Sequence, residues 1–339
     1  MYYISDYIDY YKERKSEHTK WNIMDNLVCS ILVYLPIDGF KGKKNLKSFC
    51  AYAGTYEKKE QVGNMIPMAF QILKKISGSA RYKNMCISDF RNDKSNDTQF
   101  GAMTVRLGKT TVVVYKGTDH SLIGWMENFR IAYEYPTFTH KLAITYLKEN
   151  ISPFRDREIY VAGHSKGGNL AMISAMEMEN RIFRNIKQVY NFDGPGLRKE
   201  EFEGGKYERL GSKLTNIVPA GSVVGMLLYN KEYQVVETAS TSINDHYPDS
   251  WRIFGEFFVP GSLSGLSIKI HDSTINGMEK VTYLQVEKAF EAIFGNIDQE
   301  YTSDLTLSPE IVFSFIKNMK DMDEEIMGNI YEIMKKILR

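Results

Sequence analysis

Glycine, histidine and serine meet in one short stretch, Gly163-His164-Ser165-Lys166-Gly167-Gly168. An apolar, β-prone run from Ile159 to Ala162 precedes it, and a helix-like run, Asn169-Leu170-Ala171-Met172-Ile173, follows. Strand, tight turn around one serine, then helix is the layout that pushes a nucleophilic hydroxyl above the edge of a sheet. Gly163 and Gly167 flank the serine because a Cβ there would strike the neighbouring helix and strand. The helix start aims backbone N–H groups at developing negative charge. The bare pentad Gly-x-Ser-x-Gly arises by chance in roughly one chain in ten of this length. A glycine-rich connection with no chemistry is the competing reading, and the strand before and helix after weigh against it.

A serine hydroxyl is a weak nucleophile at neutral pH and needs a base, which a third group must hold in one tautomer. In the chain order that goes with this turn, the histidine follows both serine and acid. Of six histidines, only His246 and His271 lie after Ser165. His246 sits in the polar, proline-containing Ser242–Trp251 segment beyond a strand candidate, where Trp251 can anchor a loop. His271, after Ser267-Ile268-Lys269-Ile270, is the second candidate and reads as the end of a strand. His164, inside the turn, reads as a packing or loop-supporting residue. For the acid, Asp193 ends the strand candidate Gln188–Phe192, and catalytic groups in such sheets gather at C-terminal strand ends. Its carboxylate can instead cap the Gly194-Pro195-Gly196 turn. Asp245 and Asp249 are close to His246, but Asp245, as the adjacent residue, is expected to point elsewhere. The oxyanion needs two N–H donors: Lys166, directly after the serine, and Thr118 in Tyr115-Lys116-Gly117-Thr118-Asp119, where Gly117 permits close approach.

The elements that must position these groups follow from periodicity. Trp21–Leu35 carries Ile23, Leu27, Ile31 and Tyr34 at helical spacing before Pro36, and Ile66–Ile76 is similar. Phe100–Leu107 and Thr110–Tyr115 read as a hairpin after a polar Asn92–Gln99 turn region, the second strand continuous and β-branched as if covered on both faces. Helices are expected over Leu122–Tyr133 and Thr139–Lys148, and strands over Gln188–Phe192, Lys213–Val218 and Glu232–Glu237. Alternating strands and helices predict an α/β protein: a mainly parallel, doubly wound sheet with helices on both faces and extra terminal helices. From Asn276 onward the chain reads as helical, with candidates over Val281–Phe294 and Pro309–Asn318, the latter capped by Ser308. An apolar stripe of Met319, Met322, Ile326, Ile330, Ile333 and Ile337 is expected to pack on the sheet domain, with membrane or partner contact as the alternative. The organisation expected is residues 1–80 as a helical segment on the core, 81–275 as the core and 276–339 as a helical extension.

The 339 residues suffice for one large domain with additions. A net charge of +1 gives no global pull towards nucleic acid or anionic membrane. Cys29, Cys50 and Cys86 form no CxxC pair and read as reduced thiols, so no metal site is expected. Met1–Glu17 has no secretory pattern, and Leu27–Leu35 is too short to span a bilayer, so a cytoplasmic protein is expected.

With these residues in hand, Gly163–Gly168 resembles the GHSLGG elbow of the class-three, fungal-type lipases. Lys116-Gly117-Thr118-Asp119, followed by Gly124-Trp125-Met126-Glu127-Asn128-Phe129, resembles their oxyanion segment. The bacterial Mbeg-like domain is more similar. It shares Gly117-Thr118-Asp119-x-Ser121-Leu122-Ile123-Gly124-Trp125, the GHSKGGNLA elbow, Asn191-x-Asp193-Gly194-Pro195-Gly196, Val223-Val224-Gly225-Met226-Leu227 and the segment around His246 and Trp251. The resemblance spans Trp21 to Val259. It implies an α/β-hydrolase fold with Ser165, His246 and Thr118 as site residues, and names a fold and a nucleophile better than a reaction. The function expected is that of a serine hydrolase of the ester, thioester or lipid class, with no metal or organic cofactor. Class-three lipases carry their acid after the strand matching Asn216–Pro219, where this chain has Ser222. Either Asp193 has taken that role or the triad is incomplete, which would leave a binding protein on a hydrolase fold. Lys166 stands where those lipases have leucine and is expected to alter the mouth of the site.

Overall fold

The computed structural model describes residues 2–15, 19–38, 40, 42–57, 63–94, 98–118, 122–239 and 243–278. The helices expected over Val281–Phe294 and Pro309–Asn318, and the stripe from Met319 to Ile337, lie outside them.

Eight strands form one sheet in strictly sequential order: β1 (Lys43–Asn45), β2 (Cys86–Lys94), β3 (Gln99–Leu107), β4 (Thr110–Tyr115), β5 (Glu158–His164), β6 (Ile186–Phe192), β7 (Leu214–Pro219) and β8 (Gln234–Val236). The first four pair antiparallel. The pairs from β4 to β8 are parallel. A two-stranded hairpin, β9 (Ile253–Phe254) and β10 (Phe257–Phe258), stands apart. The sheet therefore begins two strands earlier than the Phe100–Leu107 hairpin. β2 escapes periodicity because it is polar and irregular: Asp89 has φ 56°, and the register with β3 shifts between Ser88 and Arg91. β1 carries two lysines, as charged edge strands do.

The helices are α1 (Ile4–Tyr11), α2 (Ile23–Leu32), α3 (Leu46–Gly54), α4 (Met65–Ser77), α5 (Leu122–Tyr133), α6 (Phe138–Asn150), α7 (Lys166–Met176), α8 (Asn180–Phe183), α9 (Lys199–Glu203) and α10 (Gly265–Met278). Because strand order never reverses, each right-handed crossover steps the same way and lays its helix on the same face. α6 and α7 accordingly share a core with Val113, Tyr115, Ile159, Val161 and Val189. The opposite face is closed by the N-terminal segment: Leu27, Val28 and Ile31 of α2 pack with Val112, Val114, Ala162, Phe192 and Ile217. Period-two alternation along β4 and β5 thus sends neighbouring side chains into two different cores. This mainly parallel α/β sheet has helices on both faces, the second set supplied by the N-terminal segment.

α10 replaces the strand end expected around His271. Ser264 accepts the N–H of Ser267 through its hydroxyl, and buried Ser267 and Ile270 are three apart, a helical spacing hidden by the alternating Ile268-Lys269-Ile270.

Two polar knots fix the layers. In the first, Asn22 and Asp25 form a reciprocal cap on α2. The fully buried Asp25 carboxylate also accepts a two-pronged bond from Arg81, 2.8 Å from Nε and 2.6 Å from Nη2, and hydroxyl bonds from Tyr7 and Tyr82. In the second, His140 of α6 accepts the Thr137 N–H at Nδ1 and donates from Nε2 to Asn169 of α7 at 2.9 Å. Burial lowers the His140 pKa to about 4.

Two outcomes follow. Asp25→Ala leaves Arg81 buried without its counter-charge, and urea unfolding should show a loss of about 3–5 kcal/mol; a loss below about 1 kcal/mol would contradict the burial argument. For His140 the unfolded chain binds the extra proton, so stability is complete above the ordinary histidine value of about 6.5 and falls as pH drops towards 4, by about 3 kcal/mol in all. Unfolding at pH 7 and pH 5 should show a shallower pH slope in His140→Gln, and equal slopes would refute the assignment.

Candidate active site

The C-terminal ends of β5 and β6 lie side by side, with His164 opposite Phe192. Each strand ends in a residue with left-handed backbone: Ser165 at φ 58°, ψ −133°, and Asp193 at φ 50°. Such a conformation costs a non-glycine residue about 1–3 kcal/mol and persists only where the surroundings over-determine it. Here they do. The Ser165 N–H donates to the Phe192 carbonyl at 2.9 Å, and the Asp193 N–H to the Ile217 carbonyl at 2.8 Å.

Glycines make the turn possible by their lack of a side chain. A Cβ on Gly163 would lie 2.1 Å from the Gly167 carbonyl oxygen, and one on Gly167 would lie 2.2 Å from the carbonyl oxygen of Tyr115 on β4. The next motif interlocks with the first. A Cβ on Gly168 would lie 2.0 Å from Asn191 Oδ1, and one on Gly194 would lie 2.3 Å from the Ser165 carbonyl oxygen. Asn191 closes its own turn, accepting the Gly194 N–H at 2.9 Å and donating to the Gly194 carbonyl at 3.1 Å. Asn169 of the elbow helix donates to the carbonyls of Pro195 and Gly196.

This turn aims the Asp193 carboxylate, which is fully buried. Oδ2 accepts the Nδ1–H of His246 at 2.7 Å, while Oδ1 accepts the Ser222 hydroxyl at 2.5 Å and the Gly225 N–H at 3.1 Å. His246 ends a single helical turn, Ile243–His246, and its side chain is about one-fifth exposed, at 19%. Its backbone is tied to the elbow as well. His164 donates from Nε2 to the His246 carbonyl at 2.7 Å, and its Nδ1 accepts from the Tyr34 hydroxyl at 3.1 Å. Burial, with His246 nearby, pushes the His164 pKa well below its ordinary value, so the ring is neutral and serves as a fixed two-ended linker. Trp251 is buried and donates its indole N–H to the Asp245 carbonyl at 2.6 Å, anchoring the segment. The Asp245 carboxylate turns away to the Thr238 hydroxyl.

The loop after β4 abuts the serine. A Cβ on Gly117 would lie 3.0 Å from Ser165 Cβ and 2.0 Å from the Tyr34 hydroxyl. Thr118 donates its hydroxyl to Asn128 Oδ1 of α5 at 2.9 Å. Lys166 is the first residue of α7, so its N–H belongs to the turn with no intrahelical acceptor. Its side chain corrects the expectation that it alters the site mouth. It is 1% exposed and runs inward, donating to the Gln99 carbonyl at 2.7 Å and pairing with Glu127 Oε2 at 2.5 Å. A buried ammonium needs such partners, and α5 supplies the carboxylate.

The structure thus places His246 on Asp193, and Asp193 beside Ser165 across one strand pair. His271 is elsewhere engaged, donating from Nδ1 to the Met226 carbonyl at 3.1 Å on the α10 side. Sequence reasoning did not single out Tyr34, Glu127, Asn128, His140 and Asn169. Glu127, Asn128 and Asn169 fall inside motifs quoted above, but no role followed from them, because the groups they bond to are brought close only by the fold. Among the described residues, no group of three or more His, Cys, Asp or Glu side chains is arranged to hold a metal ion, and no helix is long and apolar enough to cross a membrane.

Several solved lipases align with part of this chain. M37 lipase aligns at 17% identity with a TM-score of 0.40, over 59% of this chain and 68% of its own. A mutant form of MDLA from Penicillium cyclopium aligns at 16% and 0.37, over 59% and 83%. The Rhizomucor miehei lipase–propeptide complex aligns at 14% and 0.39, over 65% and 69%. At these scores the fold assignment rests on the strand order and the elbow themselves. No curated protein matches the sequence. A family model described as Mbeg1-like matches residues 76–295, starting and ending later than the Trp21–Val259 span of the resemblance. That match takes in the elbow, the Asn-x-Asp-Gly-Pro-Gly turn and the His246 segment, and the chain belongs to the Mbeg1-like family.

Proposed function

We propose that this protein is a serine hydrolase that cleaves esters, thioesters or lipid acyl groups through an acyl-enzyme on Ser165. The observation that carries the reading is the 2.7 Å bond from His246 Nδ1 to a buried Asp193, next to a serine held in a left-handed elbow. With Nδ1–H committed to the carboxylate, the neutral ring keeps its free lone pair on Nε2, the tautomer a base requires. Ser165 Oγ attacks the substrate carbonyl carbon as its proton passes to His246 Nε2. The oxyanion is met by the N–H groups of Thr118 and Lys166. His246 then protonates the departing alcohol or thiol, and water, deprotonated by the same imidazole, releases the acid and restores the serine. Asp193 stabilises the imidazolium throughout.

A non-catalytic reading rested on the absence of a carboxylate at Ser222. Against it stands the bond from that hydroxyl to Asp193, which supports the reading of a carboxylate one strand over.

A fluorophosphonate probe should label the native protein and leave Ser165→Ala unlabelled; native protein that is folded and unlabelled would end the hydrolase reading. Asp193→Asn should lower kcat by about 10³–10⁴ by releasing the tautomer, with the fold retained. Ser222→Ala removes one hydroxyl bond to a charged group, worth about 1.5–3 kcal/mol, so kcat should fall by about tenfold or more. An unchanged kcat in Ser222→Ala would show that the hydroxyl does not support the acid.

A further inference from the structure

Two consecutive residues of α5 reach the two positions that the hydrolase reading assigns to the oxyanion hole. Consecutive helical residues point about 100° apart, so one helix can hold two separate segments. Asn128 Oδ1 takes the Thr118 hydroxyl at 2.9 Å. Glu127 Oε2 takes the Lys166 ammonium at 2.5 Å, with both side chains at most 5% exposed. Lys166 Nζ also donates to the Gln99 carbonyl at the start of β3. Thr118 and Lys166 belong to different connections, one leaving β4 and the other leaving β5. The β4–β5 register fixes them only as far as Tyr115 opposite Gly163. Beyond that point α5 bonds to both, through Asn128 to Thr118 and through Glu127 to Lys166.

We infer that Glu127, through its ion pair with Lys166, is a positioning residue for the oxyanion hole: it ties α5, and with it the Thr118 loop, to the first residue of the elbow helix. The inference rests on the hydrolase reading. Packing alone does not require these charges, since apolar side chains of similar volume fill a buried site at equal or lower free energy. Burial pushes the Glu127 carboxyl up while Lys166 pulls it back, the signature of a pair held against its own desolvation. What the pair supplies is a directional link of fixed length. Oxyanion donors act only when held within about 0.5 Å of the productive geometry.

The test replaces the link without emptying the space. The double substitution Glu127→Leu with Lys166→Met keeps the Lys166 backbone N–H and should unfold cooperatively at or above the native Tm. Its kcat on a p-nitrophenyl ester should fall by about tenfold or more with KM within about twofold, and fluorophosphonate labelling should slow in parallel. A folded double variant with native kcat overturns the inference and leaves the hydrolase reading intact. Native protein that the probe does not label overturns the hydrolase reading and this inference with it. If the double variant does not fold, Glu127→Gln, which keeps the volume but exchanges the ion pair for a neutral amide contact, is read in the same assay. A severalfold lower kcat there supports the link, and a native kcat overturns it.

Discussion

Two adjacent parallel strands end in left-handed residues, and everything at this site depends on that pairing. Ser165 and Asp193 occupy the same level at the edge of the sheet, one with φ 58° and the other with φ 50°. Neither could hold that conformation alone at modest cost. The two turns interpenetrate so closely that glycine is the only residue tolerated at the contact points, with Gly168 against Asn191 and Gly194 against the Ser165 carbonyl. The strain in one turn is thus held by the packing of the other. This explains why the Gly-His-Ser-Lys-Gly-Gly and Asn-x-Asp-Gly-Pro-Gly segments are parts of a single device although Asn169 and Pro195 stand 26 positions apart in the chain.

The N-terminal layer takes part in that device. α2 closes one face of the sheet, and the chain leaving it brings Tyr34 against both Gly117 and His164. His164 in turn holds the backbone of His246. A chain of contacts therefore runs from the N-terminal helices, through a neutral imidazole, to the segment carrying His246. The Asp25–Arg81 knot that fixes α2 therefore bears on the site as well as on the fold.

Much of this was legible in the sequence because it is local. The elbow, the hairpin of β3 and β4, helices α2 and α4 to α7, and the candidates Ser165, Asp193 and His246 all announce themselves by spacing. The illegible parts were of two kinds. β1 is a short, charged edge strand, its neighbour β2 is polar with its register broken by a bulge, and α10 contains an accidental alternation, Ile268-Lys269-Ile270, that mimics a strand. Tyr34, Asn128 and Glu127 matter through contacts across the fold, and no window of sequence brings them together. Lys166 is of the same kind: a lysine beside a nucleophile suggests solvent and charge at the mouth, and here Glu127 and the Gln99 carbonyl beneath it let it turn inward.

The place of the buried carboxylate follows from electrostatics at the β6 and β7 ends. Asp193 is fully buried, and its Oδ1 already lies 2.5 Å from Ser222 Oγ and 3.1 Å from the Gly225 nitrogen. A second carboxylate at 222 would stand against the first, and two such groups in a dry site cannot both ionise; one would be forced to keep its proton. A carboxylate at the end of β7 and one at the end of β6 are therefore alternatives, and the sequence must choose. With Asp at 193, position 222 is best filled by a donor, and a serine hydroxyl is the smallest side chain that provides one. The close approach of Gly225, where a Cβ would lie 2.4 Å from Asp193 Oδ1, completes the same choice, since its bare backbone N–H becomes the remaining donor.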